Sequence, residues 1–177
     1  MKIYSDGASS FNGSSKAIGG WAYAIILDEE IIAKNSGKVI GATNQQMELK
    51  AVIEGCKDAL IEYKNMLYPV SYCGSNSKEF GNSFLSKNFF VYSDSSYVVN
   101  CFLQNWWRKW QANGWKNSKK EPVANKELWE ELIPYFEHPF FDFCKVKGHS
   151  TDTWNEYVDT LAVDARLKKS NKGEEKL

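Results

Sequence analysis

A chain of 177 residues that is 43% hydrophobic and 15% aromatic can bury a core of its own, which excludes a disordered polymer and fits one domain. Its 22 basic and 22 acidic residues cancel, so a polyanionic partner is not visible in the total charge and must be sought in local patches. No stretch approaches the ~20 apolar residues of a membrane span or the apolar core of a signal peptide. Cys56, Cys73, Cys101 and Cys144 form no C-x-x-C. These features predict a soluble, cytoplasmic protein with free thiols.

Residues 2–6 read as a strand that ends on Asp6 and breaks into Gly7-Ala8-Ser9. Gly19 and Gly20 precede a long apolar strand, Trp21 to Leu27. A turn at Asp28-Glu29-Glu30 leads into a return strand that starts at Ile31, so the first three strands should form an antiparallel meander. Thr43 and Gln46 fit a capping box. Leu49, Val52, Ile53, Cys56 and Leu60 then recur at helical spacing, with Glu48 at the border of that buried stripe.

Residues 64–88 carry no period and read as a long loop or insertion, with a short element around Met66 to Tyr72. A strand over 89–93 and a helix from about Ser96 through Trp107 follow. From Trp106 to Lys120 the chain holds four tryptophans and five basic residues and no acid. A helix from roughly Asn125 to Phe136, ending near Pro134 or Pro139, and a strand from Phe140 to Val146 come next. The loop Lys147-Gly148-His149-Ser150 leads to a last helix from about Asp152 to Lys169. The polar tail, 171–177, should fray.

One phrase occurs twice. Ile3-Tyr4-Ser5-Asp6 returns as Val91-Tyr92-Ser93-Asp94. If the two strands lie parallel and adjacent, both carboxylates meet at the carboxyl edge of a sheet, where open α/β sheets bind ligands. Two carboxylates forced together are stable mainly as a protonated pair or around a cation. Glu48 near a helix start and Asp159 on the last helix can reach the same edge. Carboxylates without clustered histidine or cysteine favour a hard ion such as Mg²⁺, and two such ions are the usual equipment for phosphodiester hydrolysis.

Ser5-Asp6-Gly7, Asn44-x-x-Met47-Glu48-Leu49, Tyr92-Ser93-Asp94-Ser95-x-Tyr97-Val98, and Lys147-Gly148-His149 with Asn155-Glu156-x-x-Asp159 resemble, in order and spacing, the signatures of type 1 ribonuclease H. The likeness covers about residues 1–63 and 89–167. It implies an α/β ribonuclease H-like fold, with a five-stranded mixed sheet in order 3-2-1-4-5 flanked by helices, and one catalytic domain over residues 1–170.

The resemblance also implies an endoribonuclease that cuts the RNA strand of RNA–DNA hybrids, leaving 3′-hydroxyl and 5′-phosphate ends. Asp6, Glu48, Asp94 and Asp159 would hold two Mg²⁺ ions, with Mn²⁺ as a substitute. His149 would assist proton transfer or product release. Asn44, with backbone groups around Gly7, Ala8 and Gln45, would read the 2′-hydroxyl, and Asn12 and Thr43 would touch sugar-phosphate. Residues 106–120 would be a basic handle in which Trp115, Lys116, Lys119 and Lys120 meet the hybrid.

Gln46 stands where the family often has a basic residue, and Ser96 where it often has glutamine. Competing assignments are a DNA-directed nuclease of the same superfamily, a non-catalytic hybrid-binding module, or the ribonuclease H part of a larger polymerase. Met1 directly before the first strand and the absence of a separate hybrid-binding domain point to a free-standing, weakly processive monomer with no obligate protein partner.

Overall fold

The computed structural model describes residues 1–10, 16–67, 89–148 and 152–168, and the backbone of 175–176. The expected contacts of Asn12 and His149 and most of the 64–88 insertion lie outside the described residues.

Strands β1 (Lys2–Ser10), β2 (Ile18–Leu27) and β3 (Glu30–Ile40) form the antiparallel meander. Asp28 and Glu29 turn the β2–β3 hairpin with positive φ at both positions, a backbone twist that matches the flanking strands. Beyond β1, β4 (Phe89–Ser93) and β5 (Phe141–Lys145) add in parallel, giving the expected order 3-2-1-4-5. A two-residue strand, β6 (Glu175–Lys176), extends the far edge beside Val39 and Ile40, within the tail expected to fray.

Side chains alternate across the sheet and divide the core between its faces. Ile3, Tyr23 and Ile25 face helix α1 (Asn44–Leu67), whose Leu49, Val52, Ile53 and Cys56 are buried as the spacing requires. Tyr4, Ala24 and Ile26 face helix α5 (Thr153–Leu167) through Val158. The Thr43–Gln46 capping box is closed in both directions: Thr43 N–H donates to Gln46 Oε1 at 2.8 Å, and Gln46 N–H to Thr43 Oγ1 at 3.3 Å.

Three boundaries differ from expectation. First, β1 does not end at Asp6 but runs on to Ser10, because β2 continues to pair with it as far as Ser10 opposite Ile18. Second, the helix expected over 96–107 is two helices, α2 (Ser96–Leu103) and α3 (Trp106–Ala112). They are broken at Asn105, which sits in the left-handed region at φ 53°, a conformation that asparagine tolerates. The break leaves Trp107 rather than Trp106 buried.

Third, α1 runs on to Leu67, into the stretch from residue 64 expected to be a loop. Of the two ends expected for the next long helix, α4 (Lys126–Glu137) takes the later one: it passes through Pro134 and stops before Pro139. An interior proline costs about 3 kcal/mol, but Trp129, Leu132, Ile133 and Phe136 on the buried face each return roughly 1.5–3 kcal/mol. α4 packs on α1 and β5, and its Trp129 donates from Nε1 to the Tyr97 hydroxyl at 3.0 Å.

Candidate active site

The repeated phrase is in register. Ile3 lies opposite Val91 and Tyr4 opposite Tyr92, in parallel. The two tyrosine rings stack with centroids 4.7 Å apart. Two residues further on, Asp6 and Asp94 are delivered to the same level. Asp6 stands on a strand that continues, whereas Asp94 lies just past the end of β4.

Glycine determines how close the helices come. A Cβ on Gly7 would lie 2.3 Å from Glu48 N and 2.4 Å from Met47 C, so the backbone of α1 rests directly on β1. On the other face, a Cβ on Gly20 would lie 2.1 Å from Ala162 O, so α5 rests directly on β2. Gly20 pairs with Ala8, the neighbour of Gly7. These two close approaches lower Glu48 and Asp159 towards the Asp6–Asp94 pair from opposite sides. A single groove is lined by Asp6, Gly7, Asn44, Glu48, Asp94 and Asp159, among others.

Glu48 is held by donors. Asn44 Nδ2 reaches its Oε1 at 2.8 Å, and Ser95 Oγ reaches its Oε2 at 2.6 Å. Ser95 also caps α2, accepting from Val98 N–H at 3.3 Å, so one hydroxyl ties two helix starts to the groove. Gly148 abuts Asp94, since a Cβ there would lie 2.7 Å from Asp94 Oδ2.

The electrostatics are those of crowded anions. Burial raises the Asp6 carboxyl, repulsion from Asp94 and Asp159 raises it further, and only the Gly7 N–H favours its anion. Burial also raises Glu48; repulsion from Asp94 adds to this, while the Ser95 and Asn44 hydrogen bonds act against it. Among the described residues no group of three or more His, Cys, Asp or Glu stands arranged to hold a metal ion. The donors that line the groove are nevertheless oxygens, and a hard divalent cation is the partner that would relieve their repulsion.

Sequence reasoning assigned no task to other groove residues. Asn155 is 3% exposed, and its Oδ1 has no partner among the described residues. Ser9, Glu156 and Arg166 also line the groove. Asn155 and Glu156 stood within a quoted motif, but only burial against the groove singles them out.

Thr43, Asn44 and Gln45 line a neighbouring depression with Glu48, Asp94, Ser95, Ser96 and Tyr97. Gln46, where a basic residue was expected, is occupied in the capping box. Ser96 accepts from Lys145 Nζ at 2.7 Å. The handle residues are not among those lining either depression. Trp115 is half-buried against Trp110, and the ammonium of Lys126 lies 5.5 Å from its ring centroid. Lys116, Lys119 and Lys120 are exposed.

Comparison with known proteins gives one family. The family model described as RNase H matches residues 1–166. A ribonuclease H from Syntrophomonas wolfei is 41% identical over 163 residues, covering 92% of this chain and 93% of that protein. One from Acetivibrio thermocellus is 40% identical over 172 residues, covering 97% and 98%. Among solved structures, the PFV RNase H domain matches with a TM-score of 0.63 at 22% identity, covering 93% of each chain. LC11-RNase H1 in complex with RNA/DNA hybrid matches at 0.60 and 19%, covering 93% of this chain and 95% of that one.

Proposed function

The chain belongs to the RNase H family, and from that membership we propose that it is an endoribonuclease hydrolysing the RNA strand of RNA–DNA hybrids, leaving 3′-hydroxyl and 5′-phosphate ends. The observation that carries this is the convergence of Asp6, Glu48, Asp94 and Asp159 on one groove, built from two in-register strands and two helices on opposite faces of the sheet. Residues 1–170 act as one catalytic domain.

Asp6, Glu48, Asp94 and Asp159 would hold two divalent ions, Mg²⁺ with Mn²⁺ as a substitute, with Asp6 and Asp94 as the central ligands. Bound there, such ions supply an activated water and neutralise the leaving oxygen. The protein orients the strand around them. Asn44 and the backbone groups of Gly7, Ala8 and Gln45 line the depressions beside the carboxylates, where they distinguish a 2′-hydroxyl from hydrogen. Asn44 already donates to Glu48, so substrate selection and ligand orientation share one side chain. Asn12 and Thr43 contact sugar-phosphate, His149 assists proton transfer, and the handle lysines approach the DNA strand.

No helix among the described residues is long and apolar enough to cross a membrane. Cys56, Cys101 and Cys144 are free, which supports a reducing cytoplasm as the working compartment, where the enzyme acts as a monomer.

Cleavage assays on a hybrid, duplex DNA and duplex RNA, with and without chelator, test this directly. The hybrid alone should be cut, and only with the divalent ion present. Asp94→Asn should abolish turnover while leaving hybrid binding largely intact. Retained turnover in that variant rejects the metal assignment, and equal cleavage of duplex DNA rejects the substrate.

A further inference from the structure

Arg166 has no part in the chemistry assigned so far. It lies seven residues after Asp159, two turns along the same face of α5 and about 10 Å along its axis. Helical side chains lean towards the helix N-terminus, so Arg166 leans back towards Asp159 and lines the same groove. Its backbone is pinned: a Cβ on Gly20 would lie 2.8 Å from Arg166 N and 3.0 Å from its Cβ. Gly20 pairs with Ala8 and Gly19 with Ser9, which places Arg166 at the Ala8–Ser9 end of the groove.

The guanidinium is under-used. Arg166 Nε is buried without a hydrogen-bond partner, and Arg166 makes no ion pair among the described residues. A buried, charged donor left unmatched is costly and calls for an acceptor. The neighbouring groove carboxylates do not supply one. Arg166 is nevertheless the one cation among the described residues that line this groove. Its planar fork matches the paired oxygens of a phosphate, and a phosphodiester strand is what the groove has to admit.

We propose that Arg166 binds a phosphate of the RNA strand adjacent to the scissile one, at the Ala8–Ser9 end of the groove. It thereby holds the strand in register over the carboxylates. The proposal rests on the hybrid-nuclease assignment. A backbone contact of this kind positions the strand without reading its sequence. It acts on affinity and leaves the bond-breaking step to the carboxylates.

The test measures Kd for an uncut hybrid against salt in the Asp94→Asn background, and kcat and KM in the otherwise wild-type enzyme. Arg166→Gln should raise Kd and KM about 10-fold, with kcat nearly unchanged. The slope of log Kd against log salt should fall by about 0.9. Arg166→Lys should keep that slope. Replacing single RNA phosphates by neutral methylphosphonates then locates the contact. At one position next to the cleavage site the replacement should weaken binding to the wild-type residue but not further weaken Arg166→Gln. Elsewhere the two effects should multiply.

An unchanged Kd and slope, or effects that multiply at every phosphate, overturns the proposal. If Arg166→Gln lowers the melting temperature, Arg166→Lys with the same methylphosphonate series decides: its deficit must vanish at that one phosphate. A wild-type enzyme that fails to cut the hybrid refutes the hybrid-nuclease assignment itself. One that cuts it while Arg166→Gln binds normally refutes the Arg166 contact alone.

Discussion

Asp6→Asn should destroy cleavage and yet make the ion-free protein more stable at alkaline pH. Burial, then Asp94 and Asp159, lift the Asp6 carboxyl from its ordinary 3.8 to about 8. Between those values the folded chain holds a proton that the unfolded chain has released. The stability contributed by this group is therefore complete below about pH 4 and is lost as the pH rises towards 8.

The whole difference between 3.8 and about 8 would set an upper bound of about 6 kcal/mol. The groove is open to water, which screens the charge, so roughly 2 kcal/mol is the working figure. For a chain of this size that corresponds to a melting-temperature gap of about 4–8 °C. The assay is thermal unfolding of both proteins by circular dichroism, in chelator, from pH 5 to pH 9. The variant should gain on the wild type as the pH rises, with the smallest gap at pH 5. Adding Mg²⁺ at pH 8 should narrow the gap, because the ion binds the folded wild type preferentially. Parallel stability curves across this range would falsify the account of crowded carboxylates.

Gly7→Ala and Gly20→Ala should each cost about 3 kcal/mol or more in urea unfolding, because the added methyl meets backbone atoms of α1 or α5 that cannot move aside. Both should also lower kcat, since each displaces the helix that carries a carboxylate. A comparable loss should not follow Gly41→Ala, whose Cβ would meet nothing within 4 Å, beyond the strain of its positive φ. Thr43→Ala should cost about 1 kcal/mol through the lost cap, read in the same urea titration. Neutralising Lys116, Lys119 and Lys120 together should raise KM and flatten its salt dependence without changing kcat. An unaltered salt slope would remove the handle from the substrate path.

Much of this was legible in the sequence because the signals were local. The capping box and the α1 stripe depend on short spacings that backbone geometry enforces, and the phrase Ile3–Asp6 stands out because it returns at Val91–Asp94, although the pairing of the two strands is a long-range contact that the sequence left conditional. Three features were not legible because they depend on distant partners. The end of β1 was misjudged because Gly7-Ala8-Ser9 looks like a break. Those small residues instead admit α1 and α5 to a strand that β2 keeps paired. The choice between Pro134 and Pro139 as the end of α4 was open in the sequence, since the burial that outweighs Pro134 comes from α1 and β5. Asn155 stands in a motif that gives it no task, and Arg166 stands in none, so only their place against the groove makes them conspicuous.

The two central aspartates are mounted differently, and this follows from where the strands end. Asp6 sits within a strand paired to β2 on both sides of it, from Ser5 opposite Tyr23 to Gly7 opposite Trp21. Its backbone is fixed by that pairing at a place where burial first, and repulsion from Asp94 and Asp159 next, raise its carboxyl. Asp94 lies beyond the last paired residue of β4, between Ser93 and the Ser95 cap, with Ser95 N–H bonded to Ser93 Oγ at 3.2 Å. It is held by a turn and by Gly148, not by a ladder. On the function proposed above, the ions and the cleaved strand would meet one carboxylate mounted in a ladder and another mounted only on a turn. Extending β4 past Asp94 would remove that difference, even with all four carboxylates retained.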